Sequence, residues 1–211
     1  MTVNALHAQK KIIPLYVGTY TSENGSKGIY EFDFDTNTAD AVLKSETATP
    51  SPSFIDRNDR FLLAANELTD GNQSISSFLI TKDGLKFINK IATDGSAPCH
   101  VVLGRSGKFA VVSNYLGGAL DLYAVGNNGE ILSKDDVKFY QGSGSDQARQ
   151  EAPHIHSAFF GPDHLLYVSD LGTDKIYVLD VIQTDAGKFN FKEVTTLTTK
   201  AGSGPRHIAF K

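Results

Sequence analysis

Two histidines stand one residue apart in EAPHIHSAFFG (residues 151–161), and an arginine precedes a histidine in GPRHIAFK (residues 204–211). These residue types suit proton transfer beside a developing negative charge. An imidazole titrates near neutrality and can take or give a proton. A guanidinium keeps its charge at every accessible pH and stabilises an oxyanion or a phosphate, most strongly where water is scarce. His154, His156 and Arg206 are therefore the catalytic candidates. Arg149, in DQARQEAP just ahead of PHIH, is a second cation; its alternative is a solvated loop arginine.

The elements that must position them are strands. PLYVGTY, GIYEFDFD, FLLAANE, SISSFLI, KFAVVSNY, ALDLYAV, LLYVSDL and KIYVLDV are short and rich in β-branched and aromatic residues, with turn signals such as KDG, GNNG and TDAG among them. No long segment holds helical periodicity with caps, so the fold class is all-β. The strands also recur. PSFIDRNDRFLLAANEL from Pro52, PCHVVLGRSGKFAVVSNYL from Pro98 and PHIHSAFFGPDHLLYVSDL from Pro153 follow one pattern, and PRHIAFK from Pro205 opens it again. Four antiparallel strands in roughly fifty residues make one blade of a β-propeller. The expected blades are residues 14–50 (without a first strand), 51–96, 97–151 and 152–203. Residues 204–211 would be the first strand of a further blade, and residues 1–13 an extension that is disordered or leads into a strand.

Overlaying the repeats aligns His156 with His100 and His207, and with Phe54. Recurrence in successive blades favours packing over chemistry, whereas His154 has no counterpart. The residue before the repeated position varies (Ser53, Cys99, Ile155, Arg206), and varying positions are where a pseudo-symmetric scaffold places specific chemistry. The start of a first strand lies beside the end of the antiparallel second strand. One mouth should therefore collect His100, His154, His156, Arg206 and His207 with Asn66, Glu67, Asn114, Tyr115 and Asp170. Arg149, His100, Asn114, Asp170, His207 and Glu67 are the candidates for binding substrate.

The formal net charge is −4 and no basic stripe exists, which argues against a nucleic-acid partner. No apolar run is long enough for a membrane span. The single cysteine, Cys99, excludes an intrachain disulfide. It reads as a small residue packed near the channel. ALHAQ (residues 5–9) could be the tail of a clipped signal, so a cytoplasmic location is expected with a periplasmic one as the alternative.

In order along the chain, YVGTYT…GIYEFDFD, PSF, NEL, APCHV, SNYLGG, GSG…RQ…PHIH, SDLGTDKI and GPRHIAF resemble the seven-bladed propeller lactonases of the bacterial 6-phosphogluconolactonase type, a family related to carboxymuconate-lactonizing enzymes. The resemblance runs from Leu15 onward. It implies a ring of which this chain holds a little over half, with the remaining blades elsewhere, even on a separate chain. It also implies hydrolysis of 6-phospho-D-glucono-1,5-lactone to 6-phosphogluconate, in sugar-phosphate oxidation, without a cofactor. The family's histidine carries over to His154 or His156 and one arginine to Arg206; its glutamate would lie past Lys211.

Opening a lactone needs a base for water, a cation for the oxyanion and an acid for the ring oxygen, which these residue types can supply. Other readings remain open. A muconate-type cyclase would run similar groups in reverse, and a propeller can simply bind a sugar phosphate or a partner. Asn66, Glu67, Asn114 and Asp170 could offer oxygen ligands to a divalent metal. Equivalent Asn/Asp at strand ends more often cap turns, so no metal is expected.

Overall fold

The computed structural model describes residues 11–211, and every regular element in that range is a β-strand. Strands β1 (Ile12–Val17), β2 (Gly28–Asp35) and β3 (Ala41–Ala48) form a three-stranded antiparallel sheet. Three four-stranded sheets follow. The second holds β4 (Pro52–Arg57), β5 (Phe61–Asn66), β6 (Ser74–Thr81) and β7 (Gly84–Ala92). The third holds β8 (Ser96–Leu103), β9 (Phe109–Leu116), β10 (Ala119–Val125) and β11 (Ile131–Phe139). The fourth holds β12 (Ile155–Phe160), β13 (Leu166–Asp170), β14 (Lys175–Gln183) and β15 (Phe189–Thr198). Each sheet is a meander in chain order, as propeller blades are.

The expected extension over residues 1–13 and the clipped-signal reading of residues 5–9 fall largely outside the described residues; Ile12 and Ile13 already belong to β1. Residues 204–211, expected as a further first strand, have no strand pairing, because the described residues offer no second strand there. They are held instead by Ser157 Oγ, which donates to the Arg206 carbonyl at 2.5 Å, and by Phe210 packed edge-on to Tyr167.

Period-two alternation builds the cores between blades. From β5, Leu62 and Ala64 pack with Ile29 of the first sheet, while Phe61, Leu63 and Ala65 pack with Val101, Ala110 and Val112 of the third. From β9, Val111 turns the other way, toward Ile155, Ala158 and Val168. A central strand buried on both faces must be apolar at nearly every position, and β5 is buried throughout.

Polar links fix the angle between neighbouring blades. Ser77 Oγ donates to the Gly129 carbonyl at 2.6 Å, and Asn89 exchanges two hydrogen bonds with the Ile131 backbone at 2.8 and 3.0 Å. Asp56 accepts the Leu103 N–H across that same gap at 2.7 Å, and Asp136 accepts the Phe191 N–H across the gap between the third and fourth sheets at 2.8 Å.

Candidate functional site

One irregularity recurs where each first strand meets its second strand. The register of β4 on β5 slips between Pro52 and Phe54, that of β8 on β9 between Pro98 and His100, and that of β12 on β13 between Ile155 and Ser157. Ser53, Cys99 and His156 are the extra residues. Such a bulge breaks the ladder and re-aims one side chain.

The register also corrects the repeat alignment. Asn66, Asn114 and Asp170 face Pro52, Pro98 and Ile155, so His156 occupies the place of Ser53 and Cys99. The counterparts of His100 are Phe54 and Ser157. Aligning His156 with His100 is wrong by one residue because the turn after β12 is tighter. There Gly161 N–H reaches the Leu165 carbonyl, whereas Gly104 N–H reaches that of Phe109 after β8. The varying position is thus Ser53, Cys99, His156 and, by its spacing from Pro205, Arg206.

Those four residues line a single cavity of about 330 Å³. Tyr20, Glu67, Tyr115 and Leu171 complete much of its wall: Glu67, Tyr115 and Leu171 each directly follow the residue that faces the start of a first strand (Asn66, Asn114, Asp170), and Tyr20 lies shortly beyond β1. Arg149, His207 and Phe54 also line it. Sequence reasoning missed Tyr20 and Leu171, and named Ile155 where His156 stands at the varying position. The signal was present in the parallel endings GTY, ANE, SNY and SDL.

The expected residues therefore divide. His156, Arg206, Arg149, His207 and Glu67 come together, whereas His154, His100, Asn114 and Asp170 lie outside the cavity wall. His154 stacks on Tyr115 with ring centres 4.3 Å apart, and its ring nitrogens meet the Tyr115 carbonyl at 3.0 Å and Glu151 at 3.2 Å. Both nitrogens are thus committed. His100 lies between Phe54 and Phe159, with ring centres at 4.1 and 4.7 Å, and burial pushes its pKa down to about 3. It is a neutral packing group.

Asn114 donates to the Ala119 carbonyl, and Asp170 accepts from His154 N–H, Gly172 N–H and the Thr173 hydroxyl. Asn66 donates to the Pro50 carbonyl and accepts from Ser74 and Ser76. These side chains stitch the strand ends to their loops, as the turn-capping reading expects. A side chain at Gly172 would strike the Ala152 carbonyl, so glycine is what lets the loop before His154 close on the end of β13. Among the described residues no cluster of three His, Cys, Asp or Glu is placed to hold a metal.

The cavity's central contact joins Arg206 to His156. Arg206 Nε and one terminal nitrogen lie 3.0 and 2.9 Å from His156 Nε2. A guanidinium only donates, so Nε2 must be bare and the ring proton sits on Nδ1. That Nδ1 is buried and finds no partner. Burial first, then the Arg206 charge, pushes the His156 pKa down to about 4. Opposite this pair, Tyr20 donates its hydroxyl to Glu67 Oε2 at 2.8 Å. Burial and that carboxylate push the Tyr20 pKa up to about 12, so the phenol remains a donor. Burial likewise raises Cys99 to about 12, with Glu67 adding to the rise and Arg206 opposing it. The thiol is no nucleophile at neutral pH.

Meandering antiparallel blades, with a polar cavity where first and second strands meet, define a propeller-type fold. The chain belongs to the family described as lactonase, seven-bladed β-propeller, which matches residues 14–211. A 6-phosphogluconolactonase of Bacillus subtilis is 34% identical over 92% of this chain and 55% of its own length. A Bacteroides fragilis structure, provisionally assigned as a 6-phosphogluconolactonase, superposes with a TM-score of 0.88 at 33% identity, covering 94% of this chain and 58% of that one. A periplasmic gluconolactonase of Pseudomonas aeruginosa superposes with a TM-score of 0.82 at 27% identity, over 95% of this chain and 59% of that one. The chain thus spans a little over half the length of the relatives it matches.

Proposed function

We propose that this site belongs to a lactone hydrolase acting on 6-phospho-D-glucono-1,5-lactone and releasing 6-phosphogluconate. The observation that supports it most is Arg206, a guanidinium without a carboxylate partner among the described residues, seated on a neutral histidine at the cavity wall. Its charge is left for an oxyanion. Water attacks the lactone carbonyl carbon, the carbonyl oxygen becomes the oxyanion beside Arg206, and the acyl–oxygen ring bond then breaks. The ring oxygen leaves as a hydroxyl once it has received a proton.

His156 accepts from Arg206 through Nε2 and holds the guanidinium in place; while that contact lasts, its lone pair cannot activate water. Glu67 is the carboxylate in the same wall, fixed by Tyr20, and we assign it as the base for the attacking water. Its test is Glu67→Gln. Turnover should fall by about 10²–10⁴-fold, the range for a lost general base, with little change in KM. A variant with unchanged kcat would remove Glu67 from the mechanism and return the base to a residue outside this chain.

The similarity to named 6-phosphogluconolactonases supports a reaction on a phosphorylated sugar lactone. The periplasmic gluconolactonase neighbour favours a second reading, an unphosphorylated lactone outside the cytoplasm. Comparing the two lactones separates them. No helix among the described residues is long and apolar enough to cross a membrane.

A further inference from the structure

A second, smaller cavity of about 220 Å³ adjoins the first, and Arg149, Arg206 and Leu171 belong to both walls. The two arginines thus stand at the divide between a larger and a smaller lobe. Both are exposed, and among the described residues neither has a carboxylate within ion-pair distance. Two uncompensated guanidinium groups at one constriction are a site for a doubly charged anion, which they can bind through several charge-assisted hydrogen bonds. Ser203 adds a hydroxyl to the smaller lobe. Asp146 also lines it, with one carboxylate oxygen taken by the Ala148 N–H at 3.1 Å.

The loops carrying the arginines are tied together beneath this lobe. Asp174 is buried in a left-handed conformation (φ 57°), and its carboxylate accepts the N–H groups of Gly202 and Gly204 at 2.7 and 2.8 Å. The same carboxylate accepts from Gln150 Nε2 at 2.8 Å. Gln150 is also buried; its Nε2 donates to the Leu171 carbonyl at 2.8 Å and its Oε1 accepts the Asp146 N–H at 3.0 Å. One buried pair therefore anchors the loop before Arg206 to the loop that bears Arg149. Exposed arginines on separate loops would otherwise lose considerable side-chain and backbone freedom on closing around a ligand.

We propose that the smaller lobe is a phosphate-monoester subsite formed by Arg149 and Arg206 with Ser203, and that the Gln150–Asp174 pair is its positioning device. This rests on the lactonase reading only for the identity of the sugar; the anion site stands apart from it. The subsite would place the substrate's phosphate in the smaller lobe and its lactone carbonyl in the larger one, with Arg206 reaching both.

The test titrates inorganic phosphate into the ¹⁵N-labelled protein and follows the arginine Nε–H resonances. The same variants are assayed on phosphorylated and unphosphorylated gluconolactone. Arg149 and Arg206 should shift together with one affinity. Arg149→Ala should weaken phosphate at least about tenfold, as expected for a charge-assisted contact, and reduce the preference for the phosphorylated lactone by a similar factor. Arg149→Lys should recover part of both. Asp174→Asn should weaken phosphate while both arginines remain. Phosphate affinity and lactone preference unchanged in Arg149→Ala would overturn the subsite. Phosphate binding that depends on Arg149, without turnover of either lactone, would uphold it while removing the hydrolase reading.

Discussion

At the residue scale, the Arg206–His156 contact sets the chemistry available to the cavity. A neutral His156 gives Arg206 an acceptor without neutralising it, whereas a carboxylate there would have cancelled the charge an oxyanion needs. Protonating Nε2 would set two cations against each other. The acid limb of the rate profile should therefore fall near pH 4, to which His156 is depressed, instead of near the usual histidine value of 6.5. His156→Gln retains an acceptor and should remove the His156 contribution, leaving the limb that ionisation of the Glu67 base imposes, so the histidine is best followed directly by its imidazole NMR shift. An imidazole that titrates near pH 6.5 in the parent would separate His156 from the acid limb. The cavity's arginine and histidine were readable from the motifs. The choice between His154 and His156 was not, because it depends on which ring nitrogen is already bonded.

At the element scale, the strand bulge decides which side chains line the cavity. A single extra residue in β4, β8 and β12 turns Ser53, Cys99 and His156 to one mouth, and no residue type announces it. Strands, blade repeats and the meeting of first and second strands were legible because alternation and turn chemistry are local. The register slip was not, since it depends on the length of the turn joining the first and second strands. Asn66 shows what maintains such a strand end: it is fully buried and bonds to Thr49, Pro50, Ser74 and Ser76. Asn66→Ala would leave several of those groups unpaired and should cost about 1–3 kcal/mol in urea unfolding. A cost near zero would show that water replaces the side chain, so that the strand end does not need it.

At the scale of the whole molecule, a histidine buried beside the site makes stability depend on pH. His100 keeps a folded-state pKa of about 3 against an ordinary value of 6.5, through burial first and then the neighbouring His207 and His156. Between those two values the unfolded chain binds a proton that the folded one refuses, so this group makes stability fall as pH drops through the window. Tm should decline on acidification from pH 6.5, and His100→Phe, packing between Phe54 and Phe159, should lessen that decline. An equal decline in the variant would assign the acid sensitivity elsewhere. The central claim joins this scaffold to one reaction, and the most direct measurement is hydrolysis of 6-phosphogluconolactone above its spontaneous rate, comparing the protein with Arg206→Ala. Loss of an oxyanion donor should lower kcat by about 10²–10³-fold in a variant that remains folded. Equal rates in the two proteins, or no rate above the spontaneous one in the folded parent, would contradict it.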